Sequence, residues 1–255
     1  MHAEHFEKVA VITGSTGGIG EGIARRLAQD GIKVVISGRR KEHGEQVASD
    51  IVDNGGRAIY LRTDIANPKD CIELIHSAAD NFGRLDILIN NAAVFPEVSL
   101  EDNTPELWDD VMAVNVRGAF LCCQQAIPVM RRQEQGSIIN IGSTLNYRCP
   151  INRLAYACSK GALLTMTKGL ARALLKDRIR VNWVTVGWVA TPGEIALRDT
   201  TVGKGMKYLQ EQGNAAPLGR LETVEDISEG VAFLVSDNAE HITGCELNIS
   251  GGLWI

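Results

Sequence analysis

No two cysteines are spaced as CxxC, and the five histidines form no HxxxH or comparable ligand cluster. A structural zinc site or metal-centred catalysis therefore has no support in the sequence. The six cysteines (Cys71, Cys122, Cys123, Cys149, Cys158 and Cys245) fall mostly within helix- or strand-like runs. They read as small buried hydrophobes in a reducing compartment rather than as disulfides. Basic residues form no block, and the net charge of −5 is spread along the chain, which argues against a nucleic-acid partner. No apolar run approaches the length of a membrane span, and residues 1–6 (MHAEHF) carry no signal-like segment. No membrane partner is expected, and the location reads as cytoplasmic. Proline- or serine-rich linkers and internal repeats are missing too. What remains is 255 residues, 45% hydrophobic and 22% charged, which fits one domain over 1–255 with a sizeable core.

Short β-branched runs at 9–13, 33–37, 58–61, 85–90, 137–141, 180–184 and 246–249 alternate with amphipathic stretches at 19–30, 68–82, 107–132, 156–175 and 224–235. Such alternation predicts an α/β fold, a parallel sheet covered by helices on both faces. Residues 191–217 break the rhythm. Glycine-containing and weakly periodic, they read as an excursion that covers a pocket.

The first apolar strand, Val9 to Thr13, runs directly into Gly14-Ser15-Thr16-Gly17-Gly18-Ile19-Gly20 and then a helix. Glycines there let the backbone approach a pyrophosphate, and the helix start offers free N–H groups and a partial positive charge. The spacing is TGxxxGIG rather than GxGxxG, with Gly14, Gly18, Ile19 and Gly20 as the binding positions. At the end of the second strand an acidic residue would hold ribose hydroxyls, whereas a cation would hold a 2′-phosphate. The segment reads Val35-Ile36-Ser37-Gly38-Arg39-Arg40, with no Asp or Glu. Arginine forks suit phosphate geometry, so NADP(H) is favoured. Arg39 is the main contact in this reading, with Arg40 or Ser15 as helpers; NAD(H) is the alternative, with Arg39 and Arg40 as plain surface cations.

Tyr156 and Lys160 are four apart in a helical run, which puts phenol and ammonium on one face. A nearby positive charge favours the phenolate and brings a pKa of about 10 toward the working pH.

Together these residues resemble the short-chain dehydrogenase/reductase family over essentially the whole chain. The match consists of Thr13-Gly14-xxx-Gly18-Ile19-Gly20, Asn90-Asn91-Ala92-Ala93, Asn115, Ser143, Tyr156-xxx-Lys160, and Gly187 with Thr191. The resemblance implies a single Rossmann-type doubly wound domain with a seven-stranded sheet. It also implies an oxidoreductase with Tyr156 as general acid in reduction and general base in oxidation. Lys160 would lower the tyrosine pKa and hold the nicotinamide ribose, Ser143 would orient the substrate oxygen, and Asn115 would hold a water in a proton relay through Lys160. Asp64 would sit by the adenine with Ile65 beside it, Asn90 and Asn91 would brace the cofactor, and Gly187, Val189 and Thr191 would meet its nicotinamide end. A homotetramer is also implied, with helices 107–132 and 156–175 able to pair.

Two positions depart from the family pattern: Ala93 stands where glycine is frequent, and Val186 precedes Gly187 where proline is usual. The second change is expected to loosen the nicotinamide loop. Residues after Ser143 (Asn146 among them), Val94-Phe95, Trp188 and residues from Glu194 onward should line a substrate pocket. A small polar molecule (sugar, polyol or hydroxy/keto compound) fits them, with Arg148 or Arg153 either meeting a carboxylate or facing solvent or a subunit. The alternatives are an NAD(H)-dependent alcohol or sugar dehydrogenase, a 3-oxoacyl-carrier-protein reductase, and a nucleotide-sensing module without turnover. The apolar end Leu253-Trp254-Ile255 should bury in the core or against a partner.

Overall fold

The computed structural model describes residues 7–253. The amino-terminal segment 1–6 and Trp254 and Ile255 of the apolar carboxyl end lie outside the described residues. Seven strands, β1 (Val9–Ile12), β2 (Lys33–Gly38), β3 (Ala58–Arg62), β4 (Ile87–Asn90), β5 (Gly136–Ile141), β6 (Ile179–Val186) and β7 (Glu246–Ile249), form one sheet in the order β3-β2-β1-β4-β5-β6-β7. Every pairing is parallel.

Buried on both faces, the central strands need apolar residues on both sides, which is why VAVI and GSIINI read as near-continuous runs. Helices α1 (Gly18–Gln29), α2 (Lys41–Asp53) and α10 (Val224–Val235) cover one face, packing Ile23, Leu27, Val47, Ile51, Ile227 and Val231 on Ile12, Ile36 and Ile89. The other face carries Val11, Val35, Leu88, Ile138 and Val181 under Leu74, Ile75, Cys122 and Met130. Those side chains come from α3 (Pro68–Phe82) and α5 (Ala119–Arg132), next to α7 (Leu154–Ala173). Polar caps start several helices: Asn67 accepts from Lys69 N at 3.0 Å with Pro68 following, and Thr223 with Asp226 forms a reciprocal box before α10. The strand order reverses between β1 and β4, so the chain leaves their carboxyl ends toward opposite faces of the sheet and a crevice opens between the connections.

Three elements differ from the sequence expectation. The helix expected over 107–132 is two, α4 (Pro105–Met112) and α5, joined by a π-helical turn at Ala113–Gly118. A Cβ on Gly118 would stand 2.6 Å from Ile65 O, so the turn and the β3–α3 loop meet through a glycine. Helix α2 went unrecognised because Gly44 interrupts its apolar stripe; a Cβ there would overlap the Tyr60 ring at 2.2 Å. Residues 191–217 form α8 (Pro192–Val202) and α9 (Gly205–Ala215). The only buried residue of α8 is Glu194, so its inner face is polar and no hydrophobic periodicity could reveal it. Among the cysteines, Cys71, Cys122 and Cys123 are buried, whereas Cys149 and Cys158 are exposed and are not the core hydrophobes expected. No helix of the described residues is long and apolar enough to cross a membrane.

Candidate active site

A cleft of about 1560 Å³ opens at the carboxyl ends of the strands. One half is built by the β1–α1 turn. Gly14 (φ 67°) and Gly18 (φ 60°) hold left-handed backbone that side chains resist. A Cβ on Gly14 would lie 2.8 Å from Ala92 Cα, so only glycine lets the turn close on the β4 loop. Thr13 Oγ1 accepts from Asn91 N and Ala92 N, each at 3.0 Å, and Asn91 Nδ2 donates back to Thr13 O and Gly14 O at 2.9 and 3.1 Å. Asn91 therefore braces the turn. Helix α1 begins at Gly17 with no side-chain cap, and Gly17, Gly18 and Ile19 line the cleft. Its first N–H groups face the crevice without a side-chain partner, a cradle suited to a pyrophosphate.

Arg39 and Arg40 both reach this half. Arg40 Nη2 donates to Thr16 O at 2.8 Å and its Nε to Thr16 Oγ1 at 3.3 Å, which lays the guanidinium along the turn. Arg39 is exposed and has no hydrogen bond or ion pair among the described residues. Ser15 is placed otherwise than expected: fully buried, its hydroxyl donates to Ile12 O at 2.7 Å and accepts from Ser37 N at 3.0 Å. It ties β1 to β2 and does not line the cleft. Gly20 is also behind the wall, where a Cβ would collide with Asn91 Nδ2 at 2.5 Å and Gly14 O at 2.6 Å. Asp64 and Ile65 line the wall beyond β3, with Asp64 Oδ1 accepting from Ala66 N at 3.1 Å.

Tyr156, Lys160 and Ser143 meet in the other half. Ser143 follows β5 at Gly142, where a Cβ would lie 2.0 Å from the buried Trp183 indole. Ser143 and Tyr156 share a side-chain hydrogen bond. Burial pushes the Tyr156 phenol up and Glu194 adds to this, while the Ser143 bond and the Arg153 guanidinium pull it down. The lysine behaves differently from the sequence reading. Lys160 Nζ lies 5.6 Å from the Tyr156 ring centroid but donates to Ile141 O at 2.7 Å, and burial lowers it to about 8.

Asn115 projects from the π-helical turn, buried, with its whole amide engaged. Oδ1 accepts from Val94 N at 2.8 Å, while Nδ2 donates to Val94 O at 2.9 Å and Ser159 Oγ at 3.0 Å. Its side chain clamps the β4 loop to α7, with both amide hydrogens donated and one bond accepted at Oδ1. Asn90 points away from the cleft and donates to Asn140 Oδ1 at 2.8 Å between β4 and β5. Its neighbour Asn91 lines the cleft and braces the turn. Asn146, on the short helix α6 (Leu145–Arg148), does not line the cleft either, and its Oδ1 is buried without a hydrogen-bond partner among the described residues.

The loop after β6 is fastened, not loosened. Val186 pairs with Ile249 of β7 and accepts from Thr144 N at 2.9 Å. The buried Glu222 carboxylate then accepts from Trp188 N at 2.6 Å, and Val189 bridges to Glu222. Glu222 fits only beside Gly187, where a Cβ would be 2.8 Å from both its carboxylate oxygens. Thr191 caps α8, accepting from Glu194 N at 3.3 Å, with its methyl facing Gly18. Glu222 and Glu97 lie outside every motif, and nothing in the sequence marks them.

The family model described as Enoyl-(Acyl carrier protein) reductase matches residues 14–254. The chain belongs to the short-chain dehydrogenase/reductase family. It is 34% identical over 249 residues to a 3-oxoacyl-(acyl-carrier-protein) reductase of Staphylococcus aureus, covering 97% of this chain and 98% of the relative. A 2,5-dichloro-2,5-cyclohexadiene-1,4-diol dehydrogenase of Sphingobium indicum is 34% identical over 245 residues, covering 96% and 95%. An actinorhodin polyketide ketoreductase solved with NADPH superposes with a TM-score of 0.92 at 29% identity, covering 97% of each chain. A 3-ketoacyl-(acyl-carrier-protein) reductase of Brucella melitensis solved with NADH gives 0.87 at 34%, covering 97% and 98%. This short-chain dehydrogenase/reductase is an oxidoreductase that acts on CH–OH or carbonyl groups with a nicotinamide nucleotide.

Proposed function

We propose that the protein is an NADP(H)-dependent oxidoreductase that interconverts a carbonyl and a secondary alcohol on a small polar substrate. The observation that carries this reading is the convergence of Ser143, Tyr156 and Lys160 in the same cleft as an uncapped helix start and an unpartnered Arg39. The backbone of Gly17, Gly18 and Ile19 would hold the pyrophosphate, Arg39 a 2′-phosphate, and Asp64 with Ile65 the adenine end. Lys160, Val189 and Thr191 would flank the nicotinamide riboside. When bound, that nucleotide supplies or accepts the hydride. The chain's own residues do the rest. Ser143 Oγ and the Tyr156 phenol polarise the substrate oxygen, Tyr156 gives or takes the proton, and the buried Lys160 ammonium steadies the charge that develops.

In this reading residues 1–255 act as one dinucleotide-binding and catalytic domain, with 191–217 covering the substrate. Assembly is a homotetramer in the cytoplasm, in which the exposed Phe120 face of α5 is covered by another copy. The similarity to a 3-oxoacyl-(acyl-carrier-protein) reductase favours a second reading, reduction of an acyl thioester. A fluorescence titration with NADPH and NADH, followed by NADPH oxidation against a panel of ketones and acyl thioesters, tests both. Tighter NADPH binding is expected, with ketone turnover that falls about 10²–10⁴-fold in Tyr156→Phe while NADPH affinity holds. Equal turnover in that variant, or tighter NADH binding, contradicts the reading.

A further inference from the structure

The wall of the cleft beside Tyr156 is made of two acids and two bases that neutralise one another. Glu97 Oε2 accepts from Arg153 Nη2 at 2.8 Å and from Arg198 Nη1 at 3.1 Å, and Glu97 Oε1 accepts from Asn152 Nδ2 at 2.8 Å. Arg198 Nε donates to Glu194 Oε1 at 2.7 Å, where Trp188 Nε1 also donates at 2.8 Å. Arg153 and Glu194 are 7% and 8% exposed, so the network is buried in the wall. It touches the reacting end directly: the Arg153 guanidinium lies 5.8 Å over the Phe95 ring, and that ring meets Tyr156 edge-on at 6.2 Å. Arg198 lies 5.5 Å over Trp188 on the opposite side.

Both guanidiniums are therefore committed to Glu97 and Glu194. A substrate carboxylate would have to displace Glu97, whose half-buried carboxylate would lose both its cations. Glu194 Oε2, by contrast, has no hydrogen-bond partner among the described residues, and a carboxylate oxygen accepts readily from a hydroxyl. Among the described residues, Arg148 is a cation without an ion pair on the exposed rim of this end.

We propose that the Glu97–Arg153–Arg198–Glu194 network determines substrate specificity, selecting neutral substrates with a hydroxyl beside the reacting carbon, vicinal diols and their ketols, and rejecting oxo acids. This rests on the reading above as a Tyr156-dependent carbonyl reductase. The network fixes charge rather than size, so a matched set of ketones reads it out. The set is 2-hydroxyacetophenone, propiophenone and benzoylformate, reduced with NADPH.

The wild-type kcat/KM should fall at least tenfold from the hydroxyketone to propiophenone, and further to benzoylformate. Glu97→Gln releases Arg153, leaves the wall net positive, and should raise benzoylformate kcat/KM at least tenfold, with a lower KM, while the hydroxyketone loses ground. If Glu97→Gln does not fold, Arg198→Gln makes the converse test: it leaves the wall net negative and should lower benzoylformate kcat/KM by a larger factor than that of the hydroxyketone. Arg148→Ala should preserve the ranking. A wild-type enzyme that reduces benzoylformate as well as the hydroxyketone overturns the proposal. So do a ranking that collapses in Arg148→Ala, and a ranking unmoved by the folded variants at Glu97 and Arg198. Tyr156-dependent reduction without this ranking defeats the specificity proposal alone. Absence of any Tyr156-dependent reduction defeats the function on which it rests.

Discussion

The two halves of the cleft are made of different material. The half formed by the β1–α1 turn is main chain: glycines at positive φ, the first N–H groups of α1, and Asn91 bonding back to Thr13 and Gly14. The half beside Tyr156 is side chain, with Phe95, Glu97, Arg153, Trp188, Glu194 and Arg198 assembled from four separate segments. A backbone cradle tolerates almost no change at a few positions and ignores most others. A side-chain wall can be rewritten one residue at a time, because each ion pair is local and the sheet beneath is unaffected. The first half is suited to one invariant ligand, and the second to whatever substrate the chain has come to use.

Substitutions that separate the halves should differ greatly in size. The largest effect is expected at Gly14. Gly14→Val forces a side chain into left-handed backbone 2.8 Å from Ala92 Cα. It should cost about 2–4 kcal/mol of stability and remove nucleotide binding, measured by thermal unfolding with and without NADPH. Binding that survives would show that the turn does not form the cradle. Next comes Arg39→Ala, which should weaken NADPH by about 10–100-fold, the worth of a charge-assisted contact, and leave NADH within about twofold. Arg40→Ala should lose less NADPH affinity, since Arg40 is held on Thr16. The reverse order would move the phosphate site to Arg40.

A smaller effect is expected at Glu222. Glu222→Ala removes the acceptor of the Trp188 N–H and should raise the cofactor KM severalfold, with the loss recovered in Glu222→Gln, which keeps an acceptor oxygen. Equal KM values in all three proteins would show that the loop is held by its strand pairing alone. The smallest is a pH effect at Lys160. Its folded pKa of about 8 lies below the ordinary 10.5. Between those values the unfolded chain keeps a proton the folded chain has released, so stability rises with pH across that window and the burial cost is present in full below it. Carbonyl reduction should decline above about pH 8 as the ammonium is lost, and Lys160→Arg should abolish that limb. A limb unchanged in the arginine variant would assign it to another group.

How much could be read in advance follows the same division. Thr13 to Gly20, Tyr156 with Lys160, and the strand pattern were visible because each is a local constraint, in which neighbouring residues must satisfy one backbone geometry or one helix face. Ser15 and Gly20 show the limit within a motif. Both are required by the turn, but they serve it from behind, and spacing cannot say which way a side chain points. Asn90 and Asn91 make the same point, since adjacent strand-end residues face opposite sides and only the sheet register decides which one reaches the turn.

The sequence by itself determined the doubly wound sheet, the glycine turn after β1 and the shared helix face of Tyr156 and Lys160, because hydrophobic periodicity and glycine backbone preferences act over a few residues. The tertiary structure alone decided that the Lys160 ammonium is fastened to the Ile141 carbonyl, that Glu222 secures a loop lacking its proline, and that α8 presents charges inward. Glu97 meets Arg198 across 101 positions of chain. Such a contact leaves no periodic or local mark; it exists only once the sheet has brought the ends of its strands together.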